Sequence, residues 1–270
     1  MSKCSPKFAC MELMWGGVAD EKFEPWLREI HSLGFAGVGC REKTLQPFIE
    51  NPAALKQLLN KYKLELAVVY SELHFDFVRY QKLFHFVQAM GCVNLCLHGG
   101  RGGTSADREL FARVLDHIGG MAATFGLKAM FHHHTDTFSE TMEQTEHVLK
   151  LTNPKNFYAF CDVGHATKDF IEVPVRERAR TFLERNWDRI AMIEFKDCDA
   201  SGSLSIEVGQ GQADYASVFS FIDEHAYNGW IVFEQNSPNN NKTPLECARG
   251  SFDYVKKHFK PAHALAAGSN

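Results

Sequence analysis

Eight successive strand-then-helix units run through residues 8–259, and this alternation predicts a single α/β domain closed as a (β/α)8 TIM barrel. Two observations favour closure over an open doubly wound sheet. The 270 residues suit a barrel, whose typical length is about 250 residues. No G-x-G-x-x-G follows the first strand. The barrel is expected over 1–260, with a flexible tail over 261–270 and no linker between.

The first strand is predicted at 8–13 (FACMEL), before a helix at 21–33 that Gly34 closes. A second strand, AGVGCRE at 36–42, precedes a helix at 52–62 opened by Asn51-Pro52. The third, ELAVVYSEL at 65–73, leads to a helix at 76–90 ended by Gly91. VNLCLHGG at 93–100 precedes a long helix at 106–125 with Gly126 after it. Strands at 128–134 (KAMFHHH), 157–165 (FYAFCDVGH), 190–198 (IAMIEFKDC) and 230–236 (WIVFEQN) alternate with helices at 140–152, 174–188, 214–228 and 243–259. Asp214 is expected to start the helix at 214–228, with Gly229 after its last turn.

The composition excludes several classes. A net charge of −4 with no Lys/Arg cluster argues against a nucleic-acid surface, which needs a concentrated basic face. No stretch approaches the about 20 apolar residues of a membrane span. The eight cysteines form no C-x-x-C pair, and Cys10, Cys96 and Cys161 lie inside apolar runs. They are expected to be free thiols in a cytoplasmic protein. MSKCSPKFACMELMW has no apolar h-region, so no signal peptide is expected.

A barrel places its active site at the C-terminal ends of the strands. Glu12, Glu42, Glu72, His74, His98, His134, Asp162, His165, Lys196 and Glu234 all fall at or beyond predicted strand ends. Side chains alternate between strand faces. Met130, His132 and His134 therefore share one face, as do Phe160, Asp162 and Gly164, Met192, Glu194 and Lys196, and Val232, Glu234 and Asn236. His133 takes the opposite face. Two histidines, three carboxylates and a lysine then converge on one pocket. So many buried charges need compensation, which a bound divalent cation supplies.

Plainer readings exist for each residue alone. Glu194 and Lys196 could form an ion pair, and His132 and His134 could be hydrogen-bonded core residues. Asp162 could cap a turn at Gly164. Glu12, Glu42 and Glu72 read as rim residues rather than ligands. The loop VGQGQADY, 208–215, resembles a phosphate cradle, but it lacks a lysine and Asp214 sits where phosphate would dock, which favours a helix cap.

The ordered motifs resemble the xylose-isomerase-like barrel superfamily, which holds sugar isomerases, epimerases, inosose dehydratases and endonuclease IV. HHHTDTFSET is similar to a His-rich strand leading into G-T-x-x-E-T, with Asp136 replacing the glycine. CDVGHA is similar to a D-T-G-H element, EFKDC to H-L-K-D, VGQGQADY to G-x-G-x-x-D-[FY], and GWIVFEQ to a final G-W-x-x-x-E-Q strand. The similarity covers roughly residues 8–260. It implies Glu140, Asp162 and Glu234 as metal ligands and His165 as a substrate or metal contact. Glu194 falls where the family has a histidine, which makes the ligand set Glu140, Asp162, Glu194 and Glu234 all carboxylate. Such a set favours Mn²⁺ or Mg²⁺ over Co²⁺ or Zn²⁺.

The resemblance further implies proton abstraction beside a carbonyl of a keto-sugar or keto-polyol. Glu140, Glu234, His132, His134 and Lys196 are the candidates for the catalytic work. His165, His98, Glu72 and Lys196 are candidates for substrate contacts. A lyase of the inosose dehydratase type is the first expectation, and an aldose–ketose isomerase or ketose 3-epimerase the second. A non-catalytic sugar-binding barrel is the third, prompted by Glu194. The expected partner is a small sugar or polyol, without nucleic acid or membrane, and a homo-oligomer is left open.

Overall fold

The computed structural model describes residues 5–18 and 20–260. The tail expected at 261–270 lies outside the described residues. Eight parallel strands close into one barrel in sequence order. They are β1 (Lys7–Met11), β2 (Gly37–Arg41), β3 (Glu65–Glu72), β4 (Asn94–His98), β5 (Lys128–His132), β6 (Phe157–Asp162), β7 (Ile190–Phe195) and β8 (Trp230–Phe233). The ring closes where Lys7 to Cys10 of β1 pair with Trp230 to Phe233 of β8.

Two apolar layers hold this arrangement. Inside the barrel, Ala9, Met11, Val68, Tyr70, Cys96, Met130, Phe160, Met192 and Val232 form one cluster. The second and larger cluster fills the space between strands and helices. Each fully buried aliphatic or aromatic side chain there contributes about 1.5–3 kcal/mol. The interior cluster takes alternate residues of most strands, so the facing read from the sequence holds: Met130, Phe160, Met192 and Val232 all point inward. Gly37 makes room for this filling. A Cβ on it would stand 2.8 Å from the Trp230 ring and 2.7 Å from the Glu65 carbonyl.

The helices are α1 (Phe23–Leu33), α2 (Glu42–Ile49), α3 (Pro52–Lys61), α4 (Phe77–Met90), α5 (Ser105–Thr124), α6 (Met142–Leu151), α7 (Val163–Asp169), α8 (Arg178–Asn186), α9 (Tyr215–Glu224) and α10 (Pro244–His258). Gly34 and Gly91 close α1 and α4 in the left-handed conformation. Capping boxes start α5, α6 and α10 at Thr104, Thr141 and Thr243. Among the described residues no helix is long and apolar enough to cross a membrane.

The structure departs from the sequence reading mainly at strand ends. Every strand stops one to three residues short of its predicted end. The polar residues there leave the ladder and turn toward the mouth. Two of these turns become helices that the sequence reading missed. α2 begins at Glu42 directly after β2, and α7 begins at Val163 directly after β6. Helix α9 also ends at Glu224, earlier than the 228 expected, with His225 at its C-terminus.

Candidate active site

Asp162 is the pivot of the site because it belongs to two elements at once. It is the last residue of β6 and the N-cap of α7, where its Oδ1 accepts the His165 backbone N–H at 2.9 Å. That bond fixes the carboxylate and leaves Oδ2 aimed into the barrel mouth. The β6–β7 register places Glu194 directly beside Asp162. His132 ends β5, and its Nε2 stands 3.0 Å from Asp162 Oδ2 and 3.4 Å from Glu194 Oε1. His132, Asp162 and Glu194 are all buried, and their ligand atoms lie within 4.8 Å of one another.

A polar atom beside this trio is left without a bond. His165 Nε2 is buried without a hydrogen-bond partner, and it lies 3.9 Å from Asp162 Oδ2, whose one close contact is the His132 ring at 3.0 Å. Unsatisfied buried polar atoms are costly and call for an explanation. A carboxylate oxygen and an imidazole nitrogen, both with free lone pairs and beside a second carboxylate, form a donor set that suits a divalent cation. The residues present therefore fit a metal ion. Asp169 fixes the ring behind His165, with Oδ2 3.1 Å from His165 Nδ1 and accepting from Thr135 Oγ1 at 2.7 Å.

Electrostatics bind the cluster together. Burial works against a charge on His132, yet its contacts with Asp162 and Glu194 raise its pKa to about 10. Burial first, and then the charges of Glu234 and Asp162, push Glu194 upward. Tyr70, inside the barrel, donates its hydroxyl to Glu194 Oε2 at 2.7 Å. Lys196 lies across the site, with Nζ 2.5 Å from Glu234 Oε1 and 3.9 Å from Asp162 Oδ2. Burial opposes the charge of Lys196, but Glu234, Asp162 and Glu194 hold it protonated far above neutrality.

Gly164 explains how Lys196 reaches that position. A Cβ on Gly164 would stand 2.7 Å from Lys196 Cγ and 2.9 Å from its Cβ. The glycine of CDVGHA is thus the gap through which the lysine passes. The loop VGQGQAD is likewise occupied by the protein itself. Asp197 accepts backbone N–H bonds from Gly209, Gly211 and Ala213 at 2.9–3.1 Å, and from Cys198 at 2.8 Å. Asp214 caps α9 by accepting from Ser217 N, the helix-cap role expected of it.

The remaining sequence candidates stand around this core. Glu140 is half-buried on the loop after β5, where its Oε2 accepts the Asp136 N–H at 3.1 Å. It is not one of the three clustered residues. Asp136 itself has φ +61°, a left-handed conformation that suits glycine and that aspartate tolerates. His134 is exposed at the mouth; its Nδ1–H donates to the Thr135 carbonyl at 2.8 Å, leaving Nε2 with its lone pair. His133 faces outward and is fully buried against Phe170 and Phe182. Its Nε2 accepts the Asp162 backbone N–H at 3.3 Å.

His98 and Glu72 line a cleft of about 620 Å³ beside the mouth, together with Arg41, Glu42, Tyr70 and Arg79. Burial, then the charge of His132, lowers His98 to a pKa of about 4. Glu12 and Glu42 hold arginines from behind: Glu12 Oε1 accepts from Arg41 Nε at 3.0 Å and Glu42 Oε1 from Arg79 Nε at 2.8 Å. His74 stacks on Tyr80, with ring centroids 4.0 Å apart. Sequence reasoning missed Tyr70 and Asp169 as members of the site. Tyr70 at an inward position of β3 was available to the same face-parity argument, whereas Asp169 required knowing that α7 exists.

Comparison with known proteins gives a consistent picture. The profile of the family described as xylose isomerase-like TIM barrel matches residues 27–258. An inosose dehydratase of Lactiplantibacillus plantarum is 29% identical over 176 residues, which is 58% of this chain and 56% of that protein. The match thus spans little more than half of that relative's length. Among solved structures, the probable 3-DHS dehydratase AsbF of Bacillus anthracis superposes with a TM-score of 0.77 at 13% identity, covering 93% of this chain and 98% of that one. The IOLI protein with a bound zinc atom superposes with a TM-score of 0.71 at 17% identity, covering 94% and 99%. At those identities the structural likeness carries the fold.

Proposed function

The chain belongs to the xylose isomerase-like TIM barrel family, and on that premise we propose a divalent-metal-dependent enzyme that removes a proton beside the carbonyl of a keto-sugar or keto-polyol. The first form of this reading is a dehydratase, which the inosose dehydratase relative supports. The observation that carries it is the buried cluster of His132, Asp162 and Glu194, with the unbonded His165 Nε2 facing it. We assign the ion to His132, Asp162 and Glu194, with His165 Nε2 facing it. Glu140 and Glu234, the other two expected ligands, hold the Asp136 N–H and Lys196. Each does so through one carboxylate oxygen and keeps the other for the ion. Mixed nitrogen and carboxylate donors widen the choice of metal beyond Mn²⁺ and Mg²⁺ to Co²⁺ and Zn²⁺, and the zinc-bound neighbour is in keeping with this. A bound ion would orient two substrate oxygens and offset the negative charge that develops on the carbonyl oxygen.

The residues then divide the proton work. His134 is neutral and keeps the Nε2 lone pair, so it takes the proton from the carbon beside the carbonyl. Lys196 is held protonated by Glu234 and gives a proton to the leaving hydroxyl. The C–O bond breaks, water departs, and an enone remains. Glu234 holds the ammonium in place, and Glu72 and His98 contact the substrate. We place the enzyme in the cytoplasm, in keeping with seven described cysteines that are free and buried.

A second reading is favoured by the two-sided placement of the acid–base groups, His134 on the β5 side and Lys196 with Glu234 on the β7–β8 side. Return of the proton without loss of hydroxyl makes the enzyme an isomerase or ketose 3-epimerase. Incubation with Mn²⁺ and a panel of keto-sugars in deuterated water separates these outcomes. Deuterium exchange with an enone product supports the dehydratase, and exchange with a rearranged sugar supports the isomerase. No exchange, together with no bound metal by elemental analysis, refutes both and leaves a sugar-binding barrel.

A further inference from the structure

We propose that the cleft beside the barrel mouth is an anion-binding subsite, in which Arg41 and Arg79 hold a carboxylate or phosphate carried by the substrate. The proposal rests on the reading of the mouth as a site for a sugar or polyol, and it adds the charge class of that molecule.

Two arginines are braced in the same way. Arg41 ends β2, and both its backbone N–H and its Nε–H donate to Glu12 Oε1, at 3.1 and 3.0 Å. Glu12 is completely buried and also accepts from Thr44 Oγ1 at 2.7 Å. Arg79 lies in the first turn of α4, and its Nε–H donates at 2.8 Å to Glu42 Oε1. The other oxygen of Glu42, also buried, accepts from Ser71 Oγ at 2.6 Å.

In both pairs the carboxylate takes the Nε edge of the guanidinium. The Nη groups of both arginines donate to no described residue. An arginine kept only to neutralise a buried glutamate would offer it two parallel N–H bonds, the favoured geometry. Here the guanidinium groups are fixed from behind, and both line one cleft of about 620 Å³, Arg41 at its border with a second hollow beside Gly17. A guanidinium held in this way loses little further freedom on binding a planar carboxylate or a phosphate.

The partners of the cleft decide between an anion and a neutral polyol. A hydroxyl both donates and accepts, so a polyol needs acceptors in the wall. Both oxygens of Glu42 are already engaged, and Glu50 lies 3.9 Å from Lys82. Glu72 is left as the one lining carboxylate without a partner among the described residues. Gln46 Oε1 and a ring nitrogen of His98 are further acceptors in the wall, and the unengaged N–H groups, those of the Nη atoms of two arginines and of the Lys43 ammonium, outnumber all three. A ligand that only accepts fits this inventory best. The cleft also adjoins the reaction centre, because Tyr70 in its wall donates to Glu194 at 2.7 Å. The bound anion is thus an arm of the same substrate.

The test measures binding to the full metal-free chain by calorimetry at fixed ionic strength, with inorganic phosphate, D-glucuronate and D-glucose as probes. At least one anion is expected to bind about tenfold or more tightly than D-glucose, and Arg41→Gln and Arg79→Gln should each weaken it by about tenfold or more. Lys43→Gln, at an exposed residue without a structural partner, leaves the fold intact and should weaken binding about two- to threefold. Preference for phosphate supports a phosphorylated substrate, and preference for D-glucuronate supports a sugar acid. If neither anion outbinds D-glucose, or if Lys43→Gln and Arg79→Lys both leave anion affinity unchanged, the subsite does not exist. The readout involves neither metal nor turnover. Failure of the deuterium-exchange assay with anion binding intact therefore refutes the reaction, and exchange on neutral sugars without anion binding refutes only the subsite.

Discussion

Lys196 Nζ lies 2.5 Å from Glu234 Oε1, and both side chains are buried at the mouth of the barrel. Removing one partner leaves the other as an uncompensated buried charge, at a cost of about 3–5 kcal/mol. Lys196→Met should therefore lower unfolding free energy by about that amount in urea titration, and should abolish turnover. Lys196→Met combined with Glu234→Gln should recover part of the stability without recovering turnover. A single variant as stable as the parent would disprove the pairing.

Metal binding should register as stability. An ion bound only by the folded chain at about 100 times its Kd adds about 2.7 kcal/mol. Mn²⁺ should raise Tm, EDTA should reverse the gain, and Asp162→Asn should remove it. Calorimetry with and without Mn²⁺ checks this. An equal Tm gain in Asp162→Asn would place the ion elsewhere.

Gly164→Ala tests the path of Lys196. The added Cβ would meet the lysine side chain at 2.7 Å, closer than ordinary contact, and overpacking of this kind costs about 1–3 kcal/mol. Stability should fall in that range, and activity should fall further because the ammonium is displaced. Alanine accommodated with parental activity would show that the lysine does not need the gap.

His133 predicts acid sensitivity. Burial, then the charge of His132, lowers its pKa to about 3 in the folded chain, below the about 6.5 of an unfolded histidine. A depressed pKa means that the unfolded chain binds the proton first. The contribution of His133 is present above pH about 6.5 and is lost progressively as pH falls toward about 3. His133→Gln keeps an acceptor for the Asp162 N–H and does not titrate. Its urea midpoints should start lower, because ring contacts with Phe170 and Phe182 are lost, but should decline less steeply across that range. A slope equal to the parent's would contradict the assignment.

The barrel and most of its inward face were legible in the order of the residues. Period-two alternation in β5 to β8 places His132, Asp162, Glu194 and Glu234 toward the axis and His133 away from it, because a strand cannot change face without slipping register. Strand ends were less legible, since the polar residues that end a strand are those that turn into the mouth, and propensity does not show whether they continue as loop or helix. So α2 after Arg41 and α7 after Asp162 were missed, and with α7 the support that Asp169 gives His165. Which charges meet depended on the packing of the closed barrel. Register brought Asp162 beside Glu194, the gap at Gly164 let Lys196 reach Glu234, and the loop carrying Glu140 set it by the Asp136 amide. Those pairings depend on contacts between residues far apart in the chain, and local periodicity carries no information about distance across a barrel.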